Sequence, residues 1–189
     1  MQNTILIKHH NLIFLKNIKS HKIVVMLLGS LFIALSAQIT IPLSPVPITL
    51  QNLAVLLVGA LLGPKLGSKV VLLYLLEGVC GMPVFAGFSY GFPVIFGPTG
   101  GYLIGYVGAA YISGYLLQHS WSQNYFWIFM SAFFGDIVLF IFGYSILSCF
   151  VDYHNAYLLG VMPFYLLELV KLLLFTLIAS SFLQKQINV

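Results

Sequence analysis

The hydrophobic pattern divides the chain into long apolar runs separated by short segments rich in glycine, proline or lysine. A helix needs about 20 apolar residues to cross the hydrocarbon core of a bilayer, and most of the runs approach that length. The second run is short for a full crossing. The pattern predicts an all-α membrane protein with six transmembrane helices, at about residues 23–41, 50–62, 66–79, 99–118, 125–150 and 161–183.

Two of the separating segments contain too many helix breakers to continue a helix. The proline-rich segment 42–47 ends the first run, because proline lacks the amide donor, and Thr49 is the expected cap of the second helix. The segment 81–102 is dense in glycine and proline but has no charged residue. Irregular backbone survives in a membrane protein only where protein buries it or water reaches it. We therefore expect 81–102 to be a folded extracytoplasmic loop over a binding cavity.

The lysines predict the topology. They lie in the first 22 residues, at Lys65 and Lys69, and at Lys185, and Lys171 lies within the last span. Cytoplasmic loops carry an excess of lysine and arginine, and six spans with both termini inside place all the lysines outside the spans on that side. The sequence thus predicts a basic cytoplasmic tail at 1–22 and a six-helix substrate-binding membrane domain at 23–185.

Composition supports the membrane assignment. Hydrophobic residues make up 60% and charged residues 6%, with a mean hydropathy of +1.03, whereas soluble domains carry roughly 25% charged residues. The net charge of +4 comes from lysine alone, so it indicates topology at a lipid bilayer and not nucleic-acid binding. Residues 34–37 resemble a signal-peptide cleavage site, but the apolar run is long for a signal. Cys80 and Cys149 have apolar neighbours and are expected to be buried free thiols.

Glu168 and Lys171 are the strongest candidates for a ligand site. They are three residues apart in the last span, so they share a helix face and can form an ion pair. A structural pair could be replaced by leucines at little cost, and ionised groups at membrane depth are expensive. Their presence therefore favours a polar ligand that has N–H groups together with a carbonyl or carboxylate. The alternative is a pair that only completes the bundle.

Two other acidic residues and one amide lie in or beside the spans. Glu77 is near the outer surface, where it either lines the cavity or is an interfacial carboxylate. Asp136 is expected to form a hydrogen bond to a neighbouring helix in preference to contacting ligand. Gln51 lies at the start of an apolar span, where a polar side chain suggests a ligand contact. The histidines of the tail are not expected to bind metal, and no cofactor is predicted.

The loop at 81–102 supplies aromatic residues for the cavity, including Phe85 and Tyr90, with the hydroxyl of Ser89 between them. An interfacial aromatic belt explains some of these residues. Their clustering in one loop also suits a flat or bicyclic apolar ligand.

Several motifs together resemble the BioY family, the substrate-binding S components of biotin energy-coupling factor (ECF) transporters. The resemblance covers about residues 25–180 and is most specific in PVPITLQ and GPTGGYL. The matching runs are ALSAQI at 34–39, PVPITLQ at 45–51, LGPKLG at 62–67, LYLLEG at 73–78, GMPVFAG at 81–87 and GPTGGYLIG at 97–105.

The resemblance implies a six-helix S-component fold in the bacterial cytoplasmic membrane, with a biotin cavity near the outer face and the first outer loop as a lid. It implies a transmembrane T component and paired ABC-type ATPases as partners, with Ser30 and Ala34 on the small face of the first span docking the T component. Phe85 would enclose the bicyclic ring of biotin. Glu168 and Gln51 would bind the ureido group, and Lys171 would pair with the carboxylate.

The chain departs from the family at two places. Glu168 stands where aspartate is usual, and Ser89 or Tyr90 stands near a position that is basic in some members. Two alternatives remain open at this stage. The chain could be an S component for another vitamin, or an intramembrane enzyme that uses Glu168 or Asp136, although it has no HExxH, GxSxG or P-loop motif.

Overall fold

The computed structural model describes residues 21–118 and 124–187, with side chains as far as residue 183. The basic tail predicted at 1–22 lies almost wholly outside the described residues. Within them the chain is mostly helical. The elements in chain order are α1 (Lys22–Gln38), β1 (Thr40–Ile41), β2 (Ile48–Thr49), α2 (Gln51–Leu62), α3 (Pro64–Val79), α4 (Phe92–Ile95), α5 (Gly100–Gln118), α6 (Tyr125–Leu147), α7 (Tyr153–Gly160) and α8 (Tyr165–Ile187).

The long helices α1, α2, α3, α5, α6 and α8 occupy the six predicted apolar runs. Within residues 21–118 and 124–187, two segments are long and apolar enough to cross a membrane by length and composition, Tyr125–Leu147 and Tyr153–Leu183, and the second joins α7 to α8. Helices α1 and α2 are shorter and apolar. Large apolar side chains are exposed along α1 and α8, among them Leu28 and Leu166. Such a surface suits contact with lipid.

Helix α2 lies at the centre of the bundle. Every residue from 51 to 59 is buried, as expected for a helix that is apolar on all sides. It packs against α5, where a Cβ added at Gly59 would lie 2.2 Å from the carbonyl oxygen of Ala110. Helices α5 and α6 form the most extensive pair, and a Cβ at Gly101 would lie 2.3 Å from the carbonyl oxygen of Phe142. Glycine therefore sets these close helix approaches.

The segment between α1 and α2 forms a short hairpin. Strands β1 and β2 pair antiparallel, with Thr40 opposite Thr49 and Ile41 opposite Ile48. We call residues 40–49 the proline-rich hairpin. The N-cap residue of α2 is Leu50 and not Thr49 as predicted, but the backbone N–H of Gln51, the first residue of the helix, donates to Thr49 Oγ1 at 3.2 Å.

The structure corrects the predicted loops in two places. The segment 80–99, which we call the roof loop, contains a 3₁₀ turn at Ala86–Phe88 and the short helix α4, so it is less irregular than expected. The predicted outer loop after Asp152 is helix α7. The N–H of Asn155 donates to Asp152 Oδ1 at 2.9 Å. This bond caps α7 and lowers the pKa of the Asp152 carboxyl, because it stabilises the ionised form.

Candidate ligand-binding site

A cavity of about 270 Å³ lies beneath the roof loop. This volume is close to the lower end of the range for small-molecule pockets, roughly 300 to 1,000 Å³. The proline-rich hairpin, the start of α2, the roof loop and the first turns of α5 form its wall. The lining residues are Val46, Pro47, Thr49, Gln51, Phe85, Ala86, Ser89, Pro93, Val94, Gly97, Pro98, Thr99, Tyr102, Leu103 and Tyr106.

A second, smaller cavity of about 30 Å³ adjoins the first and is polar on one side. It has room for about two water molecules. The two cavities share five lining residues, namely Val46, Pro47, Thr49, Tyr102 and Tyr106. The smaller cavity adds Asn52 from α2, Leu139 and Phe140 from α6, Phe164, and Glu168 and Lys171 from α8.

Four buried side chains, which we call the polar cluster, form a hydrogen-bonded group beside the smaller cavity, and three of them line it. Lys171 Nζ donates to Glu168 Oε1 at 2.7 Å and to Asn52 Oδ1 at 2.9 Å. Asn52 Nδ2 donates to Glu168 Oε2 and, at 3.4 Å, to Asp136 Oδ1. The cluster therefore joins α2, α6 and α8. Because each of the four residues is at most 6% exposed, these bonds act in a low-dielectric surrounding.

The roof loop is held from α3 by aromatic packing. Phe85 is only 1% exposed and meets the Tyr74 ring edge to face, with centroids 5.5 Å apart. A Cβ added at Gly78 would lie 2.1 Å from the Phe85 ring, so the absence of a side chain at Gly78 leaves the space that this ring occupies. Gln51 Nε2 donates to the Tyr74 hydroxyl at 3.0 Å, and that hydroxyl donates to the carbonyl oxygen of Val84 at 3.1 Å.

Gln38, the last residue of α1, forms hydrogen bonds to the backbone of the roof loop. Its Nε2 donates to the carbonyl oxygens of Val84 and Phe85 at 3.3 and 3.1 Å, and its Oε1 accepts from the Phe88 N–H at 3.0 Å. Phe88 has a φ of 57°, in the left-handed region that non-glycine residues rarely adopt. The amide of Gln38 thus stabilises a strained turn next to the cavity wall.

The structure brings five of the seven predicted ligand contacts to these cavities. Gln51, Phe85 and Ser89 line the larger cavity, and Glu168 and Lys171 line the smaller one. The other two predicted contacts lie elsewhere in the structure. Tyr90 is 58% exposed and lines neither cavity. Glu77 also lies outside both and accepts a hydrogen bond from Ser30 Oγ at 3.0 Å.

Two further predictions are corrected by burial. Ser30 and Ala34 are buried within this chain, where α1 packs on α3, so they are not a free docking face for a partner. Cys80 and Cys149 are free thiols as expected, but they are exposed and not buried. Both lie where a helix has just ended, and apolar neighbours in the sequence did not reveal this.

Sequence reasoning missed Asn52 and favoured a hydrogen bond to a neighbouring helix for Asp136. Asp136 does face a neighbouring helix, as predicted, and its partner there is Asn52. Asn52 is the amide that connects all the other members of the polar cluster. The available signal was a second polar residue directly after Gln51 in an otherwise apolar run. Tyr102 and Tyr106 line both cavities. Tyr102 lies at the end of the aromatic loop that the sequence indicated, whereas Tyr106 carried no signal that distinguishes it from a core aromatic.

The comparisons with known proteins agree with this architecture. The family model described as "BioY family" matches residues 9–187. The chain belongs to the BioY family. A probable biotin transporter BioY from Pyrococcus horikoshii is 42% identical over 76% of this chain and 86% of its own length. The biotin transporter BioY of Thermotoga maritima is 39% identical over 78% of this chain and 86% of its own length.

A solved structure supports the fold as well. The crystal structure of the S component for biotin from an ECF-type ABC transporter superposes with a TM-score of 0.80 at 28% identity, over 89% of this chain and 93% of that chain. The S-component-like fold expected from the sequence is thereby confirmed. The BioY family and this fold are those of transporter proteins, which confirms the expectation of a transporter and not an enzyme.

We predict that Gln38→Leu loosens the roof loop without unfolding the bundle. The substitution removes the hydrogen bonds that the Gln38 amide makes to the loop, and one such bond contributes about 1 kcal/mol. Amide hydrogen exchange in residues 84–89 is expected to rise about tenfold or more. Exchange in α6 is expected to be unchanged.

Ser36→Ala is the matched control on the same helix, because the Ser36 hydroxyl bonds only to the carbonyl oxygen of its own helix residue Phe32. Equal exchange in 84–89 for Gln38→Leu and Ser36→Ala would contradict the assignment of Gln38.

Proposed function

We propose that this chain binds biotin and carries it across the bacterial cytoplasmic membrane as the S component of an ECF transporter. The observation that carries the proposal is the junction of a mostly apolar cavity of about 270 Å³ with the polar cluster at Glu168 and Lys171. Family membership and the solved biotin S component support the same function. They also favour biotin over the other vitamins that the sequence left open.

The polar cluster suits the ureido group of biotin. That group has N–H donors beside a carbonyl acceptor, and the cluster offers the complementary set. Glu168 provides carboxylate oxygens, while Lys171 and Asn52 provide N–H donors. The sequence assigned Lys171 to the carboxylate of biotin, but its ion pair with Glu168 favours the ureido oxygen. Phe85 and Tyr106 in the larger cavity then enclose the ring and its apolar chain.

The transport complex that we propose includes a transmembrane T component and ABC-type ATPases. The chain has no P-loop motif, so ATP hydrolysis would come from other subunits. The apolar face of α1 that includes Leu28, Leu31 and Leu35 is exposed, whereas the small residues Ser30 and Ala34 are buried. We therefore assign contact with lipid or with the T component to the exposed face.

We further propose that the six long helices span the membrane with both termini cytoplasmic. The roof loop, the proline-rich hairpin and α7 would then lie outside, and Lys65 and Lys69 inside. The exposed thiols offer a direct test. A membrane-impermeant maleimide is expected to label Cys80 and Cys149 on intact cells.

The control is Lys65→Cys in a background without the native cysteines. Lys65 is exposed at the start of α3, so this thiol is expected to react only after the cells are permeabilised. Labelling of Lys65→Cys from outside would contradict the proposed topology.

Uptake of labelled biotin tests the proposed function. Cells that lack their own biotin transporter and express this chain together with its T component and ATPases are expected to accumulate biotin. Excess unlabelled biotin is expected to abolish uptake, and excess thiamine or riboflavin to leave it unchanged. Binding of thiamine or riboflavin by the purified chain, with no binding of biotin, would favour the alternative of another vitamin.

Replacing Glu168 and Lys171 together separates a binding role from a structural one. Removing one partner of a buried ion pair leaves an uncompensated charge, whereas replacing both is often nearly neutral for stability. We predict that the double variant Glu168→Gln, Lys171→Met keeps its melting temperature within about 5 °C, a change of about 1 to 2 kcal/mol. Biotin affinity is expected to fall about 100-fold or more, as measured by calorimetry.

Tyr90→Ala is the control for this measurement, since Tyr90 lies on the roof loop but outside both cavities. It is expected to retain biotin affinity. A double variant that folds and binds biotin as tightly as the unmodified chain would leave the ion pair with a structural role only.

A further inference from the structure

The wall of the larger cavity carries no formal charge. Among the side chains that the structure describes, no lysine, aspartate, glutamate or histidine lines it. Its polar atoms are the Gln51 amide, the hydroxyls of Thr49, Thr99, Ser89 and the tyrosines, and nearby backbone. The Ser89 hydroxyl already donates to the carbonyl oxygen of Ala86 at 2.8 Å, and the Gln51 amide donates to Tyr74. An ionised ligand group in this cavity would therefore meet no countercharge.

The lysine of the adjoining smaller cavity already has two hydrogen-bond partners. Lys171 lines the smaller cavity, where its Nζ donates to Glu168 at 2.7 Å and to Asn52 at 2.9 Å. While that ion pair is intact, the polar cluster has no net positive charge. Asp136 adds a second carboxyl group, 3.4 Å from the Asn52 amide nitrogen. A ligand carboxylate placed beside Lys171 would thus also face the carboxyl groups of Glu168 and Asp136, and like charges at short range repel.

The outer side of the larger cavity offers an exit for a ligand tail. Pro93 lines the cavity and is also exposed at the surface, and Ala86 and Gly97 beside it are only partly buried. A substituent that leaves the cavity there would meet water and not packed protein. Solvation by water costs an ionised group nothing, and it costs a neutral amide little as well.

We infer that this chain recognises biotin without pairing its carboxylate, so that its ligands include biotin derivatives whose carboxyl group is amidated. The inference rests on the proposed function, because it takes the ureido group to be bound at the polar cluster. A charge-assisted bond to a carboxylate is lost when the acid becomes an amide. Where no such bond exists, the exchange leaves affinity nearly unchanged.

Calorimetry with two ligands tests the inference. In biotinamide a neutral NH2 group replaces the charged carboxylate oxygen of biotin. Both ligands are titrated into the purified full chain and into Lys171→Met. For the unmodified chain we expect the dissociation constants of the two ligands to agree within about threefold, a difference of at most about 0.65 kcal/mol. Lys171→Met is expected to weaken the binding of both ligands and to leave the ratio of their two dissociation constants unchanged.

Each other outcome has a defined meaning. A loss of about tenfold or more for biotinamide that disappears in Lys171→Met would show that Lys171 pairs with the carboxylate, and would overturn the inference. If biotinamide also binds about tenfold or more weakly than biotin to Lys171→Met, a cation other than Lys171 pairs with the carboxylate, and the inference is overturned as well. If Lys171→Met does not fold, the ratio measured on the unmodified chain decides. Failure of biotin itself to bind would refute the proposed function, whereas binding of biotin with rejection of biotinamide would refute this inference alone.

Discussion

The ion pair between Glu168 and Lys171 is the constraint on which the site depends. Two charged groups on one helix can lie within an apolar bundle only if neighbouring helices complete their hydrogen bonds. Asn52 does this from α2 by donating to Glu168 and accepting from Lys171. The need to satisfy the pair therefore fixes how α8 docks on the central helix. It also leaves a polar surface at one end of a cavity that is otherwise walled by neutral residues.

Much of the fold follows from local pattern. Each of the six long helices coincides with an apolar run, because a helix that is apolar on all sides has to be covered by protein or lipid. The sequence predicts a loop at 152–160, whereas the structure has helix α7 at Tyr153–Gly160. This helix depends on the cap from Asp152, a signal that is short and easily overlooked.

The ion pair of the candidate site was predictable because its two residues are neighbours in sequence. Glu168 and Lys171 are three apart, so helical periodicity alone brings them together. Asn52 lies 116 residues from Glu168, and no local rule connects them. The same limit explains Ser30, whose small size indicated close packing. The sequence could not show that the approaching helix belongs to the same chain and brings Glu77 with it.

Gln51 and Asn52 are consecutive residues of α2, and their side-chain amides form hydrogen bonds with two different parts of the site. Gln51 reaches Tyr74 and through it the roof loop, whereas Asn52 reaches the ion pair of α8. Side chains of adjacent helical residues point about 100° apart, so a single peptide unit holds the two recognition surfaces at a fixed angle and separation. Lengthening or shortening α2 by one residue here would turn one amide away from its partners. The first turn of α2 therefore sets how far the Tyr74 hydroxyl, which bonds to the roof loop, lies from the ion pair of α8.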